Sequence, residues 1–295
     1  MGGTGKTPTV KHVTELLGKN GYRPAVISRG YGGNARDRVN VVSDGNGLKM
    51  TAFTGGDEPV MLARMLKNIP VLTGKKRVYP CKTAVSKYKR NVLILDDGFQ
   101  HLAVKRDIDI VLFDATTLAG NSRVFPGGDL REPVSAMKRA DAVLITGVTE
   151  VNKQRAEKFA NLLRERFSAL PVFFANHGEY SLYCDEKKCS PHNFAEPHYA
   201  FCGIANPARF KKSLEICNIK INGFTAYKDH MPYNQKIVAT LCENARRSGV
   251  DHLVTTEKDF VKLRSFSWQL PLRVLKINEQ VEKEFDDLIL KLMSQ

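Results

Sequence analysis

Short runs of apolar residues alternate with amphipathic segments over most of the chain. The apolar runs, which have the length of buried strands, cover residues 24–28, 71–73, 92–95, 108–113, 142–146, 171–175, 199–205, 223–227, 253–256 and 272–277. Segments with apolar residues at helical spacing cover residues 8–17, 60–66, 83–88, 151–167, 207–216 and 281–293. Continuous apolar runs that alternate with helices are typical of parallel strands with both faces covered. The pattern therefore predicts an α/β fold with a doubly wound, mostly parallel sheet.

The composition changes in the second half of the chain, and we place a domain boundary there. Residues 180–197 are polar and contain turn residues and cysteines, in contrast to the apolar runs on either side. We predict a first domain over residues 1–175 and a second, smaller α/β domain over residues 176–277. The final helix, within residues 278–295, is expected to return to the first domain.

The first domain also contains a hairpin signal. Asp44-Gly45-Asn46-Gly47 lies between the apolar residues 39–42 and residues 48–53. A turn-forming segment between two such runs predicts two antiparallel strands.

The glycine-rich segment at the start of the chain carries the clearest chemical signal. It consists of Gly2, Gly3, Thr4, Gly5, Lys6 and Thr7. Glycines allow backbone N–H groups to turn toward phosphate oxygens, and the N-terminus of the following helix favours anions. Lys6 would contact the β- and γ-phosphates of a nucleotide, and Thr7 would bind Mg²⁺. The segment therefore predicts a phosphate-binding loop, with a flexible glycine-rich terminus as the simpler alternative.

The pattern G-x-x-x-x-G-K-[ST] of such loops is incomplete in this sequence. Its first glycine would lie before Met1, and the buried strand that leads into such a loop is missing as well. We therefore expect that the chain is truncated at its N-terminus.

A second signal lies at residues 92–97, where four apolar residues are followed by Asp96 and Asp97. This is the pattern of a Walker B strand, whose carboxylates reach the edge of the sheet and bind Mg²⁺ directly or through water. Two adjacent ionised carboxylates repel each other, and a divalent cation removes that repulsion. The two motifs in this order, about 90 residues apart, are more specific than either alone.

Polar residues that follow other predicted strands are further candidates for the same site. They are Arg29, Asp57, Glu58, Arg77, Arg131 and Glu132. In open α/β sheets, ligands bind outside the carboxyl ends of the strands. The last two candidates lie in a long loop, and such loops in compact domains are usually functional. Simpler alternatives are a surface position for Arg29 and a helix-capping role for Asp57 and Glu58.

The charge of the chain narrows the class of its partners. The 295 residues include 45 Lys and Arg against 31 Asp and Glu, which gives a formal net charge of +14. Such an excess favours anionic partners such as nucleotides, acidic lipid headgroups or phosphorylated sugars. No interleaving of aromatic and basic residues supports a nucleic-acid binder. No apolar run reaches the roughly 18 residues of a transmembrane helix, and the six scattered cysteines indicate reduced cytosolic thiols.

Five segments stand out together: residues 2–8, Ser28-Arg29-Gly30-Tyr31-Gly32, Gly56-Asp57-Glu58-Pro59, Leu95-Asp96-Asp97-Gly98-Phe99-Gln100-His101 and residues 125–133. This set closely resembles the tetraacyldisaccharide 4'-kinase family, the lipid A pathway kinases of Gram-negative bacteria. Lys228-Asp229-His230 with Tyr233, and Thr255-Thr256-Glu257-Lys258-Asp259, are similar to C-terminal motifs of the family. The resemblance covers nearly the whole chain.

The resemblance implies transfer of the γ-phosphate of ATP to the 4'-hydroxyl of a tetra-acylated glucosamine disaccharide 1-phosphate, which gives lipid IVA. It also implies a P-loop NTPase-like domain joined to a smaller α/β domain by a two-stranded link. The enzyme would be peripheral, at the cytoplasmic face of the inner membrane, where a basic charge is favourable. Family members usually have a longer N-terminal part with a membrane-associating helix and the first strand, and both are missing here.

The resemblance further implies roles for individual residues. The implied catalytic residues are Lys6, Asp57 and His230. The implied Mg²⁺ ligands are Thr7, Asp96, Asp97 and Glu132. The implied substrate contacts are Arg29, Glu58, Arg77 and Arg131. Asp57 matches the family's proposed base toward the sugar hydroxyl, and His230 matches its partner from the second domain. A histidine beside an aspartate orients it and can accept its proton.

A nucleotide-dependent switch or partitioning ATPase is the alternative, because its loops also contain Gly-Gly-x-Gly-Lys-Thr. Such proteins carry a lysine directly before the glycine pair, where this chain has Met1. That alternative also leaves the Gly-Asp-Glu-Pro and Lys-Asp-His segments unexplained. We expect a monomer that uses ATP and Mg²⁺, binds a lipid A precursor and the inner-membrane surface, and does not bind nucleic acid.

Overall fold

This computed structural model describes residues 4–168, 170–184, 187–189 and 194–294. Its strands are β1 (Pro24–Ser28), β2 (Asn40–Ser43), β3 (Val71–Thr73), β4 (Val92–Leu95), β5 (Ile110–Asp114), β6 (Ala142–Val148), β7 (Val172–Cys184), β8 (Lys187–Lys188), β9 (His198–Cys202), β10 (Ile221–Ala226), β11 (Leu253–Thr256) and β12 (Leu272–Val281). Its α-helices are α1 (Lys6–Lys19), α2 (Ala52–Gly55), α3 (Asp57–Met65), α4 (Val78–Ser86), α5 (Lys153–Arg166), α6 (Pro207–Ile216), α7 (Gln235–Arg247), α8 (Glu257–Leu263) and α9 (Lys283–Met293), and a 3₁₀ helix covers Val134–Arg139.

The strands form two sheets in which most neighbouring strands are parallel. The first sheet has the order β2-β3-β1-β4, and the second has the order β10-β9-β11-β12-β7-β6-β5, with β8 beside β7. Within the described residues, the antiparallel pairs are β2 with β3, β7 with β8, and β7 with β12. The predicted α/β class with a mostly parallel sheet is therefore confirmed.

Two long strands connect the two halves of the molecule. β7 pairs in parallel with β6 at its start and antiparallel with β12 over most of its length. β12 begins beside β11 and ends at Val281, opposite Ala175. The chain then enters α9, which lies against α1, where His12 Nε2 is 2.6 Å from Asp286 Oδ1. The last helix thus packs on the half that contains the glycine-rich loop, while the exact domain limits stay a prediction.

A cavity of about 990 Å³ separates the edges of the two sheets. All residues of β1 and β6 are buried, whereas β4 and the first four residues of β5 are only half-buried. Apolar side chains of β4, β5 and α1 line the cavity, and the glycine-rich loop and the acidic pair line it as well. The carboxyl ends of β4 and β5 therefore lead toward the predicted site.

The predicted hairpin forms only in part. β2 is present, but an isolated bridge between Ser43 and Leu48 replaces a full second strand, and α2 begins at Ala52. At the start of α2, Thr54 Oγ1 accepts a hydrogen bond of 3.1 Å from the backbone N–H of Thr51. Local bonds of this kind compete with strand pairing, which explains the difference.

The polar segment after residue 180 is more regular than its composition predicts. β7 continues through Tyr180 to Cys184 because it pairs there with β12, with Leu182 opposite Leu275. Leu182 is fully buried. A neighbouring strand far along the chain supplies these contacts, so the local composition gives no sign of them.

Candidate active site

The glycine-rich loop leads directly into α1, next to the carboxyl end of β6. Gly5 has a left-handed φ of 67°, and a Cβ at this position would lie 2.9 Å from side-chain atoms of Thr146. Thr146 Oγ1 also donates a hydrogen bond of 3.3 Å to the carbonyl oxygen of Thr4. The first N–H groups of a helix lack intrahelical partners and bind anions readily. Of the predicted loop residues, the structure describes Thr4, Gly5, Lys6 and Thr7, which line the cavity, whereas Gly2 and Gly3 lie outside the described residues.

Asp96 follows β4 and is almost fully buried. Ser28 Oγ donates a hydrogen bond of 3.3 Å to its Oδ2, while its Oδ1 has no hydrogen-bond partner in the described part of the chain. Burial, and then repulsion by Glu58 and Asp97, raises the pKa of Asp96 to about 6. A buried, unpartnered carboxylate oxygen beside a phosphate-binding loop suits a divalent cation.

Asp97 is held by cationic side chains on several sides. Arg131 Nη1 contacts its Oδ2, Lys6 Nζ lies 3.7 Å from its Oδ1, and Arg77 Nη1 donates to its carbonyl oxygen over 2.7 Å. Burial raises the pKa of this carboxyl, but Lys6 and Arg131 outweigh burial, so the pKa lies below its usual value. Arg77 and Arg131 thus position the acidic pair in this structure.

Asp57 and His230 come into contact although they are 173 residues apart in the sequence. Asp57 is the first residue of α3 and follows Gly56, where a Cβ would lie 2.6 Å from the carbonyl oxygen of Tyr31. Its Oδ2 lies 3.0 Å from His230 Nδ1. The ring of Tyr31 packs edge-on against His230, with ring centroids 5.7 Å apart. The structure therefore brings the two residues of the predicted pair together.

Two lysines of α8 surround this pair. Lys258 Nζ lies 3.3 Å from His230 Nε2. Lys262 Nζ lies 3.4 Å from Asp57 Oδ2 and 3.4 Å from the fully buried Asp259. These two contacts of Lys262 are ionic, since its ammonium does not meet hydrogen-bond geometry with either carboxylate. Sequence reasoning gave neither lysine a role, and the only signal was the Thr-Thr-Glu-Lys-Asp segment that contains Lys258.

The other residues predicted to contact substrate or metal lie in different parts of the structure. Glu58 lines the cavity, and its Oε1 is 4.0 Å from Lys258 Nζ. Glu132 also lines the cavity, but its Oε2 accepts a hydrogen bond of 2.6 Å from Arg139. Arg29 is exposed and lines a separate small pocket. The structure therefore brings Glu58 and Glu132 to the cavity, but not Arg29.

Comparisons with known proteins decide the family of this chain. A family model described as LpxK, tetraacyldisaccharide-1-P 4'-kinase, matches residues 1–294. The chain belongs to the tetraacyldisaccharide 4'-kinase family. The tetraacyldisaccharide 4'-kinase of Desulfotalea psychrophila is 44% identical over 291 residues, which cover 99% of this chain and 84% of that protein. The tetraacyldisaccharide 4'-kinase of Syntrophus aciditrophicus is 40% identical over 308 residues, which cover 99% of this chain and 81% of that protein.

A solved structure of this kinase family has the same fold. The crystal structure of the "apo" form of LpxK from Aquifex aeolicus in complex with ATP matches this chain with a TM-score of 0.75 and 27% identity. The match covers 99% of this chain and 85% of that one. The predicted P-loop NTPase-like fold and the predicted family are therefore confirmed. Membership in a kinase family also argues against the switch or partitioning ATPase.

Proposed function

We propose that this chain transfers the γ-phosphate of ATP to the 4'-hydroxyl of a tetra-acylated glucosamine disaccharide 1-phosphate. The observation that carries this proposal is the contact between Asp57 and His230 beside the cavity that Lys6 and Asp96 line. A phosphate-binding loop alone would serve ATP hydrolysis. A carboxylate–histidine pair next to it supplies the proton acceptor that a sugar hydroxyl needs.

The loop and the acidic pair hold the nucleotide in this proposal. Lys6 and the N–H groups at the start of α1 would bind the phosphates, and Thr7 and Asp96 would hold Mg²⁺. Among the described residues, no three His, Cys, Asp or Glu side chains converge on one metal position. Mg²⁺ needs few protein ligands when it bridges phosphates, and the unpartnered Oδ1 of Asp96 is suited to it. When bound, the ion would neutralise charge on the phosphates.

We assign direct metal binding to Asp96 and a supporting role to Asp97. Asp97 already contacts Arg131 and Lys6, so its negative charge is balanced within the protein. Glu132 is balanced in the same way by Arg139 and is the weaker candidate ligand. Arg77 is buried and supports the acidic pair rather than contacting substrate directly.

The proton of the sugar hydroxyl passes to the Asp57–His230 pair. Asp57 is buried, and its Oδ2 contacts both Lys262 Nζ and His230 Nδ1. His230 Nδ1 faces Asp57, so Nε2 is the nitrogen left for the hydroxyl. We therefore propose that His230 takes the proton and that Asp57 orients the ring, which reverses the roles expected from the resemblance.

The remaining proposals concern the substrate contacts and the location of the protein at the membrane. Glu58 lines the cavity beside the catalytic pair and is a candidate contact for the sugar, whereas Arg29, in a separate small pocket, is a candidate contact for a phosphate group of the substrate. The net charge of +14 favours the anionic surface of the inner membrane, at which we place a peripheral monomer. None of the described helices has the length and apolar content to span a membrane.

The kinase proposal is tested by incubating the full-length protein with ATP, Mg²⁺ and the disaccharide 1-phosphate in detergent. We expect a 4'-phosphorylated product, and loss of roughly 100-fold or more in kcat for His230→Ala, as for removal of a general base. Lys236→Met, an exposed change in α7, is the control. ATP hydrolysis without a phosphorylated sugar would reject the proposal.

A further inference from the structure

Lys258 stands between the catalytic pair and the nucleotide cavity. It is the second residue of α8, and its Nζ lies 3.0 Å from Asp229 Oδ1, 3.3 Å from His230 Nε2 and 4.0 Å from Glu58 Oε1. The same side chain lines the cavity together with Lys6. Lys258 therefore lies next to both the nitrogen that would accept the substrate proton and the space in which the phosphates would lie.

The contact with His230 determines which ring nitrogen carries a lone pair. An ammonium group has three N–H donors and no acceptor, so its contact with Nε2 requires a lone pair on Nε2. Nδ1 then carries the hydrogen and donates it to Asp57 Oδ2, 3.0 Å away. This is the tautomer that a general base needs, and Lys258 occupies the side of Nε2 that the substrate hydroxyl would approach.

We propose that Lys258 is a catalytic residue that occupies the position of the acceptor hydroxyl in this structure and moves onto the transferred phosphoryl group when the hydroxyl binds. This inference rests on the proposed kinase activity. Two lysines would then contact the phosphoryl group from opposite halves of the molecule, since Lys6 begins α1 and Lys258 lies in the first turn of α8.

The step balances without any further reactant. The hydroxyl oxygen forms a bond to the γ-phosphorus, and the bond between that phosphorus and the bridging oxygen of ADP breaks. The hydroxyl proton goes to His230 Nε2, while Lys258 keeps its protons and contributes only its positive charge. Cations that contact the equatorial oxygens stabilise the charge that these oxygens carry in the transition state.

The surroundings of Lys258 favour a movable cation over a permanent ion pair. Its side chain is 17% exposed, and the three groups that it contacts come from two different segments, the loop that contains Asp229 and His230 and the helix α3 that contains Glu58. Asp229 can hold the ammonium while the hydroxyl displaces it from His230, because the two contacts use different N–H donors. The charged groups that face His230 are Asp57 of α3, Asp229 of its own loop and Lys258 of α8.

The test compares Lys258→Met and Lys258→Arg with the wild type and with Lys236→Met, in the full-length protein. For Lys258→Met we expect kcat to fall roughly 100-fold to 1,000-fold, the usual effect of removing one transition-state donor. The dissociation constant of ATP should stay within about threefold, whereas the affinity for ADP with Mg²⁺ and aluminium fluoride should fall at least about tenfold. Lys258→Arg should recover part of kcat because it keeps the charge.

Nitrogen-15 NMR of His230 in the ligand-free protein gives a second readout that does not need activity. In the neutral form of the ring we expect hydrogen on Nδ1 in the wild type. A ring with hydrogen on Nε2, or an equal loss of affinity for ATP and for the aluminium fluoride complex in Lys258→Met, would overturn the inference. A kcat within threefold of wild type would also overturn it. Absence of sugar phosphorylation by the wild type would instead reject the proposed function.

Discussion

Glu279 lies in β12, where this strand runs toward the first half of the molecule. Burial of its carboxylate should lower the free energy of unfolding by a measurable amount. Its Oε2 is buried without a hydrogen-bond partner among the described atoms. Burial raises the pKa of Glu279 to about 7, Arg209 lowers it and Asp114 raises it further. Moving a pKa from 4.5 to about 7 corresponds to roughly 3 kcal/mol of lost stability above pH 7.

The sign of the pH dependence follows from proton binding. Between about pH 4.5 and pH 7 the folded protein binds more protons at Glu279 than the unfolded chain does, so the free energy of unfolding falls as the pH rises. Glu279→Gln keeps the shape of the side chain and removes this titration. The variant should therefore gain roughly 2 kcal/mol over the wild type between about pH 5 and pH 8.

Urea denaturation of both proteins at about pH 5, pH 6.5 and pH 8 measures this difference. Glu179→Gln, an exposed change in the neighbouring strand β7, is the control. If Glu279→Gln differs from wild type by the same free energy at all three pH values, within about 0.5 kcal/mol, the carboxylate is not destabilised by burial and the reasoning fails.

Three further predictions concern the loop, the metal and the contact between the two halves. Gly5→Ala should weaken ATP binding at least about tenfold by calorimetry, because a Cβ would lie 2.9 Å from Thr146 and φ is 67°; unchanged affinity would contradict this. Asp96→Asn should fold but lose the Mg²⁺ dependence of nucleotide binding. Its affinity for the nucleotide should be the same with and without a chelator, whereas that of the wild type should differ. Arg209→Met should lower the free energy of unfolding by about 1–2 kcal/mol because it leaves the buried Asp114 without this ion pair. A denaturation midpoint equal to that of the wild type would show that this pair contributes nothing.

The alternation of apolar runs and helices was enough to predict the α/β class. The strands β1, β3, β4, β5 and β6 lie in or close to the predicted apolar runs. Burial of a continuous apolar run is a local property of the sequence, so the pattern identifies such strands without knowledge of their neighbours. The glycine-rich loop and the acidic pair are equally local, because each motif lies within a few consecutive residues.

The sequence was less informative where a distant partner supplies the stabilising contact. β7 continues through a polar segment because β12 pairs with it, about 90 residues further along the chain. Residues 48–53 form a bridge and a short helix in place of a strand, since local side-chain bonds at Thr51 are available there. Neither outcome is encoded in the apolar pattern of the segment itself.

The surroundings of Asp57 were decided by the tertiary structure alone. The family resemblance paired Asp57 with His230, but only the packing of α8 against α3 places Lys258 and Lys262 around them. These side chains meet because two halves of the molecule close on each other, and electrostatic effects over a few ångströms depend on that closure. A sequence determines which charged residues are available. Their distances, which determine the electrostatic interactions between them, arise only when the chain is folded.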